Sequence, residues 1–217
     1  MSNPAAGFEK IGGSASFYEQ NVKTGKRCPK GETSMPCVYI LLTRTDTLFA
    51  RLLHGMGGNR YTHASLALDR DLGRMYSFAR RYEPFMLPGG FIRENIHAGV
   101  FGRCGGADSL LLELPVSRAT YEAIERQMTV MASAGSCWDY DVLGLALAGL
   151  GIPHVRPGKY FCSQFVADVL ERTGALTLPC HPSLIRPEDF ARMPGFRVVY
   201  RGPLAWADRR RPLPAAA

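Results

Sequence analysis

The stretch KYFCSQFVADVLERTG (159–174) decides how this chain folds and where its chemistry lies. Cys162, Phe165, Val166, Val169 and Leu170 recur at i, i+3, i+4, i+7 and i+8, the stripe of a helix that buries one face. The pattern begins at Cys162 and ends at Gly174, a residue suited to the left-handed turn that closes helices. The cysteine therefore stands in the first turn, at the inner edge. A thiol there feels the positive end of the helix dipole and the unpaired N–H groups, which favour thiolate and can donate to an oxyanion. A structural cysteine would give the same stripe, so its partner has to decide between the two readings.

That partner is found in YTHASLALD (61–69), where strand alternation sets Tyr61, His63, Ser65, Ala67 and Asp69 on one face. RMYSFAR (74–80) follows a turn containing Arg70, Asp71 and Gly73, which predicts a hairpin. A strand-borne imidazole facing a helix-borne thiol supplies the nucleophile and base of covalent catalysis. The other histidines (His54, His97, His154, His181) fall in less regular contexts and read as surface or loop residues.

Working outward, CVYILLT (37–43), SLLLELPV (109–116) and FRVVYRG (196–202) read as strands. TDTLFARLLHGMGG (45–58) reads as a helix capped by Thr45 or Asp46 and ended by Gly57 and Gly58. Ser117 caps a helix over 118–134 carrying Tyr121, Ile124, Met128 and Met131; another spans 140–151 and stops at Pro153; Pro187 opens a short last one. The expected class is α+β, with a small, largely antiparallel sheet packed against helices. Residues 1–36 read as a loosely ordered lead-in, 37–204 as the catalytic domain and 205–217 as a basic, Pro/Ala-rich tail.

The 217 residues, 46% of them hydrophobic, suffice for one core. No signal peptide is visible in the N-terminal residues, and the apolar run at 142–152 is shorter than the roughly 20 residues of a membrane span. The expected location is therefore cytoplasmic. Six cysteines without a C-x-x-C pair suggest neither a disulfide scaffold nor a zinc site, and most are expected to be small buried hydrophobes. No cofactor or metal is implied. The net charge of +7 suits an anionic partner such as a membrane surface, but no basic motif interleaved with aromatics accompanies it, which argues against nucleic acid.

The order of strand, helix, Y-T-H-A-S strand, hairpin, helical middle and F-C-S-Q-F-V helix resembles the permuted papain-like amidases of the NlpC superfamily. These include the bacterial YiiX-like proteins and, more distantly, the lecithin:retinol acyltransferase group. Tyr140-Asp141 and the closing P-E-D-F and V-V-Y-R-G stretches add to the likeness, which covers about 38–204. Papain-like enzymes ordinarily place the cysteine helix before the histidine strand; here His63 comes first, which marks the permuted branch. The resemblance implies a circularly permuted papain-like fold and a hydrolase of an amide, thioester or ester, with Cys162 as nucleophile and His63 as base. It puts Ser77 at the third catalytic position, commonly His or Glu in the family, with Asp69 or Glu83 as substitutes from nearby. The Cys162 amide would help hold the oxyanion, with Tyr61, Ser163 and Gln164 beside the substrate. An acyltransferase using the same dyad, and an inactive papain-like binding module, are the alternatives.

Overall fold

Strand β1 (Cys37–Thr43) is apolar almost throughout because both of its faces are covered. The computed structural model describes residues 35–44, 60–80 and 89–208. The chain divides into units Met1–Ser34 and Met35–Ala217, and all described residues belong to the second. The lead-in up to residue 34 and the helix expected over 45–58 lie outside the described residues.

β1 pairs antiparallel with β2 (His63–Ala67) on one side and β5 (Asp108–Pro115) on the other. β2 and β3 (Met75–Arg80) form the expected hairpin, whose turn Asp69 holds by accepting from the N–H groups of Gly73 and Arg74 at 2.8 and 2.9 Å. β4 (Gly89–Glu94) continues the meander along the whole of β3. The short β6 (Asp139–Tyr140) and β7 (Lys159–Tyr160) extend that edge, and β8 (Arg197–Pro203) lies outside β5. The order is β7-β6-β4-β3-β2-β1-β5-β8, antiparallel except for β6 with β7. The protein is thus α+β with one open, mostly antiparallel sheet.

Four α-helices accompany it among the described residues: α1 (Gly99–Arg103), α2 (Arg118–Ser133), α3 (Val142–Gly149) and α4 (Cys162–Arg172). α2 and α4 cover one face, where Ile124, Met128, Phe165, Val166, Val169 and Leu170 meet Val38, Ile40, Leu66, Phe78 and Leu112. The opposite face buries Tyr39, Leu41, Ala67, Met75 and Leu111 under Ile96, Phe101, Leu204 and Ala207. No helix among the described residues is long and apolar enough to cross a membrane.

Two expectations change here. The segment expected as a tail from 205 begins with packed residues: Ala207 and Asp208 are buried, Arg70 donates to the Ala207 carbonyl at 2.7 Å, and His97 meets Asp208 at 2.8 Å. A second apolar sheet face needs a cover, and this segment supplies part of it. Among the described cysteines only Cys162 is buried; Cys137 and Cys180 are exposed and Cys37 and Cys104 half-buried, so most are not core hydrophobes.

Candidate functional site around Cys162

β2 and β3 pair only at Leu66 with Tyr76 and Ala67 with Met75, so towards His63 the two strands part. The start of α4 occupies that opening. Phe161 holds the extended N-cap conformation and Gln164 Oε1 accepts from its N–H at 3.4 Å, which starts the helix at Cys162. Ser163 donates its hydroxyl to the Ile185 carbonyl at 2.7 Å and ties the helix start to a later segment. Because β2 has no partner on its β3 side here, its Ala64 N–H can donate to the Cys162 sulfur, as does the N–H of Ser163.

The His63 imidazole also hydrogen-bonds the Cys162 thiol. Its Nε2 stands 3.0 Å from Glu94 Oε1, and the other Glu94 oxygen accepts from the Ser65 hydroxyl. The Phe101 ring meets the imidazole edge-on at 5.8 Å. The His63 and Glu94 side chains are only 12% and 8% exposed, so water does little to weaken their pairing.

The electrostatics follow from this arrangement. Burial by itself pushes the imidazolium towards losing its proton, but the Glu94 carboxylate and the thiolate outweigh it and raise the His63 pKa from 6.5 to about 10. Burial likewise pushes the Cys162 thiol up, yet His63 and the two backbone N–H groups bring it below its ordinary value. Both shifts favour the thiolate and imidazolium over the neutral thiol and imidazole. A fourth donor is Tyr140, whose phenol is held far above its ordinary pKa by burial and by the negative charges of Cys162 and Asp141, and so stays protonated to hydrogen-bond the sulfur.

Tyr140 comes to this position through backbone geometry. β6 runs parallel to β7 with Tyr140 in register with Tyr160, and the Asp141 N–H donates to the Tyr160 carbonyl at 2.9 Å, two residues before Cys162. A Cβ on Gly89 would lie 2.9 Å from the Tyr140 Cβ, so only glycine lets β6 approach β4 so closely.

Of the residues anticipated from the sequence, the fold brings Cys162, His63 and the Ser163 amide together. Ser77 is not the group that orients His63: Glu94 takes that place, from a strand not recognised in the sequence. The Ser77 hydroxyl is fully buried on β3 and has no hydrogen-bond partner among the described residues. Asp69 is spent on the hairpin turn, and Glu83 lies outside the described residues. Tyr61 does not share the His63 face, since the strand begins at His63; it packs with Ala64 and Leu66 in the helix-covered core, its hydroxyl buried and without a hydrogen-bond partner among the described residues. Gln164 serves the helix start instead of the substrate side. Glu94 and Tyr140 were missed as site residues. The signal for both was the Gly89-Gly90 pair, which reads as a break but marks a strand that another backbone approaches closely. No family model, curated protein or solved structure matches the chain.

Proposed function

We propose that this protein is a cysteine hydrolase of the permuted papain-like kind, cleaving an amide, thioester or ester through an acyl-enzyme on Cys162. The observation that carries the reading is the buried Cys162–His63–Glu94 series, with the sulfur held by the imidazole, a phenol and two backbone N–H groups. A structural cysteine needs no such set of donors. The histidine strand preceding the cysteine helix supports the permuted order.

In the proposed reaction the Cys162 thiolate adds to the substrate carbonyl, and the N–H donors around it stabilise the charge that passes to oxygen. Imidazolium gives its proton to the leaving group as the carbon–heteroatom bond breaks. Water then attacks the acyl-enzyme, His63 taking its proton, and the carboxylic acid leaves as the Cys162 sulfur is released. Glu94 holds the ring in place and favours its charged form throughout.

Alkylation tests the nucleophile. With brief iodoacetamide exposure and mass spectrometry, Cys162 is expected to label fastest at pH 7, ahead of the exposed Cys137 and Cys180. Its rate should fall less steeply between pH 8 and 6 than theirs, because the site stabilises its thiolate. Labelling of Cys162 that falls with pH as steeply as theirs would sink the proposal.

A further inference from the structure

Glu94 starts far from the histidine it holds. Its backbone stands in register with Met75 of β3, and Met75 with Ala67 of β2, so His63 lies two strands across and four residues along. To meet it, the Glu94 side chain crosses β3 diagonally, on the sheet face that carries Ala67 and Met75. Such a reach relies on an extended side chain with three torsions, and one hydrogen bond to the imidazole would leave its carboxylate able to turn.

Ser65 stands on that path. It lies midway between Ala67 and His63, on the same strand face as both, and is fully buried. Its backbone is fixed by pairing with Leu41 of β1, as that of His63 is by pairing with Thr43, so imidazole and hydroxyl sit on one rigid template. The Ser65 hydroxyl donates to Glu94 Oε2 while Oε1 meets Nε2 of His63 at 3.0 Å. With one oxygen anchored, the other is aimed. The same bond gives a donor to a carboxylate that, at 8% exposure, has little water to serve it. The neighbouring hydroxyls of this face, on Thr43 and Ser77, have no hydrogen-bond partner among the described residues, so Ser65 alone of the three is engaged with Glu94. Resting on the hydrolase reading, we propose that Ser65 is a positioning residue of the site: its hydroxyl steers the Glu94 carboxylate onto His63 and thereby keeps the imidazole aligned with the Cys162 sulfur. It acts through Glu94 and takes no part in bond making.

The test needs no substrate, because it reads the rate at which iodoacetamide alkylates Cys162 of the full chain between pH 5 and 9. Ser65→Ala removes a single oxygen and adds no bulk, so circular dichroism should stay native. The carboxylate, freed at Oε2, then holds the imidazolium less well, and the thiolate loses part of its cationic support. The midpoint of the alkylation profile is expected to move up, with labelling at pH 6 slower by about threefold to tenfold. Glu94→Gln should move it further. Ser65→Ala added to Glu94→Gln should change the rate at pH 6 by less than about twofold, since no carboxylate remains to be steered. A profile unmoved by Ser65→Ala, or moved as much in the Glu94→Gln background as in the native one, overturns the positioning role and leaves the hydrolase reading standing. Native Cys162 that labels no faster at pH 7 than the same cysteine in the urea-unfolded chain overturns the hydrolase reading itself.

Discussion

The proton between Cys162 and His63 has its place set by Glu94. With the His63 pKa raised to about 10 and the thiol lowered, kcat/KM should rise on the acid side as thiolate forms and fall near pH 10 as the imidazolium is lost. Glu94→Gln removes the charge that opposes burial, so the imidazolium becomes weaker and the alkaline limb should move to lower pH. The thiolate then loses its cationic partner and the acid limb should move up. The window narrows from both sides, and kcat/KM at pH 7 should drop by about 10²-fold or more. A pH–rate profile checks this, and an unmoved alkaline limb would remove Glu94 from the site. Ser77 presents the opposite case. It lies on β3, between the strands that carry Glu94 and His63, and on the same sheet face. Its hydroxyl has no partner among the described residues, so Ser77→Ala should leave kcat/KM within about threefold, since nothing is left unpaired. Ser77→Glu should impair both stability and activity, because it overpacks a buried position at about 1–3 kcal/mol and sets a second carboxylate near Glu94. Thermal melts and rates for the two variants test this, and an active, stable Ser77→Glu protein would refute it.

At the scale of elements, the site exists because neighbouring segments part or approach at chosen places. β2 and β3 separate beyond Leu66, which frees the Ala64 N–H and admits the start of α4. β4 and β6 do the reverse, meeting where Gly89 has no side chain, and this brings Tyr140 to the sulfur. Asp141 then caps α3, its carboxylate accepting from the Gly144 N–H at 2.9 Å, so one dipeptide serves both the site and the helix start. Gly89→Ala should therefore act on catalysis more than on folding. The added Cβ meets Tyr140 and the Ala79 carbonyl, the latter at 3.1 Å, so β6 must shift by a fraction of an ångström. Misplacement of that order lowers rates strongly, and kcat/KM is expected to fall about tenfold or more while circular dichroism stays native. A Gly89→Ala enzyme with native rates would show that the Tyr140 position is not critical.

Over the whole molecule, the sheet is covered on both faces and the chemistry draws on both covers. Cys162 arrives with the helices of one face; Phe101, which abuts His63, belongs to the cluster on the other, together with Leu204 and Ala207. Ending the chain at Pro203 removes those two side chains, the Arg70 contact with Ala207 and the His97–Asp208 pair. Loss of several kcal/mol is expected, which lowers Tm by about 10 °C for a chain of this size. Activity should fall as well, since the cover that steadies His63 loosens. A melting curve like that of the full chain would mean the segment contributes no stability.

Much of the fold was legible along the chain because its signals are local. The helix stripe beginning at Cys162, the Ser117 cap, the continuous apolar run of β1 and the Asp69 turn each depend on residues within a few positions of one another, and periodicity and capping report such neighbours directly. His63 was legible for the same reason, through the alternation of its own strand. Glu94 was not, since it reaches His63 from β4 with β3 between them, and that strand opens with two glycines that local propensity counts against it. Nor was Tyr140, whose position depends on a two-residue parallel pairing and on the missing side chain of Gly89. Sequence by itself determined that a cysteine starts a buried helix and that a strand histidine stands ready as its partner. Only the tertiary structure decided which carboxylate holds that histidine charged, because ionisation in a buried site depends on whichever charges the fold brings within a few ångströms, however far apart they lie in the chain.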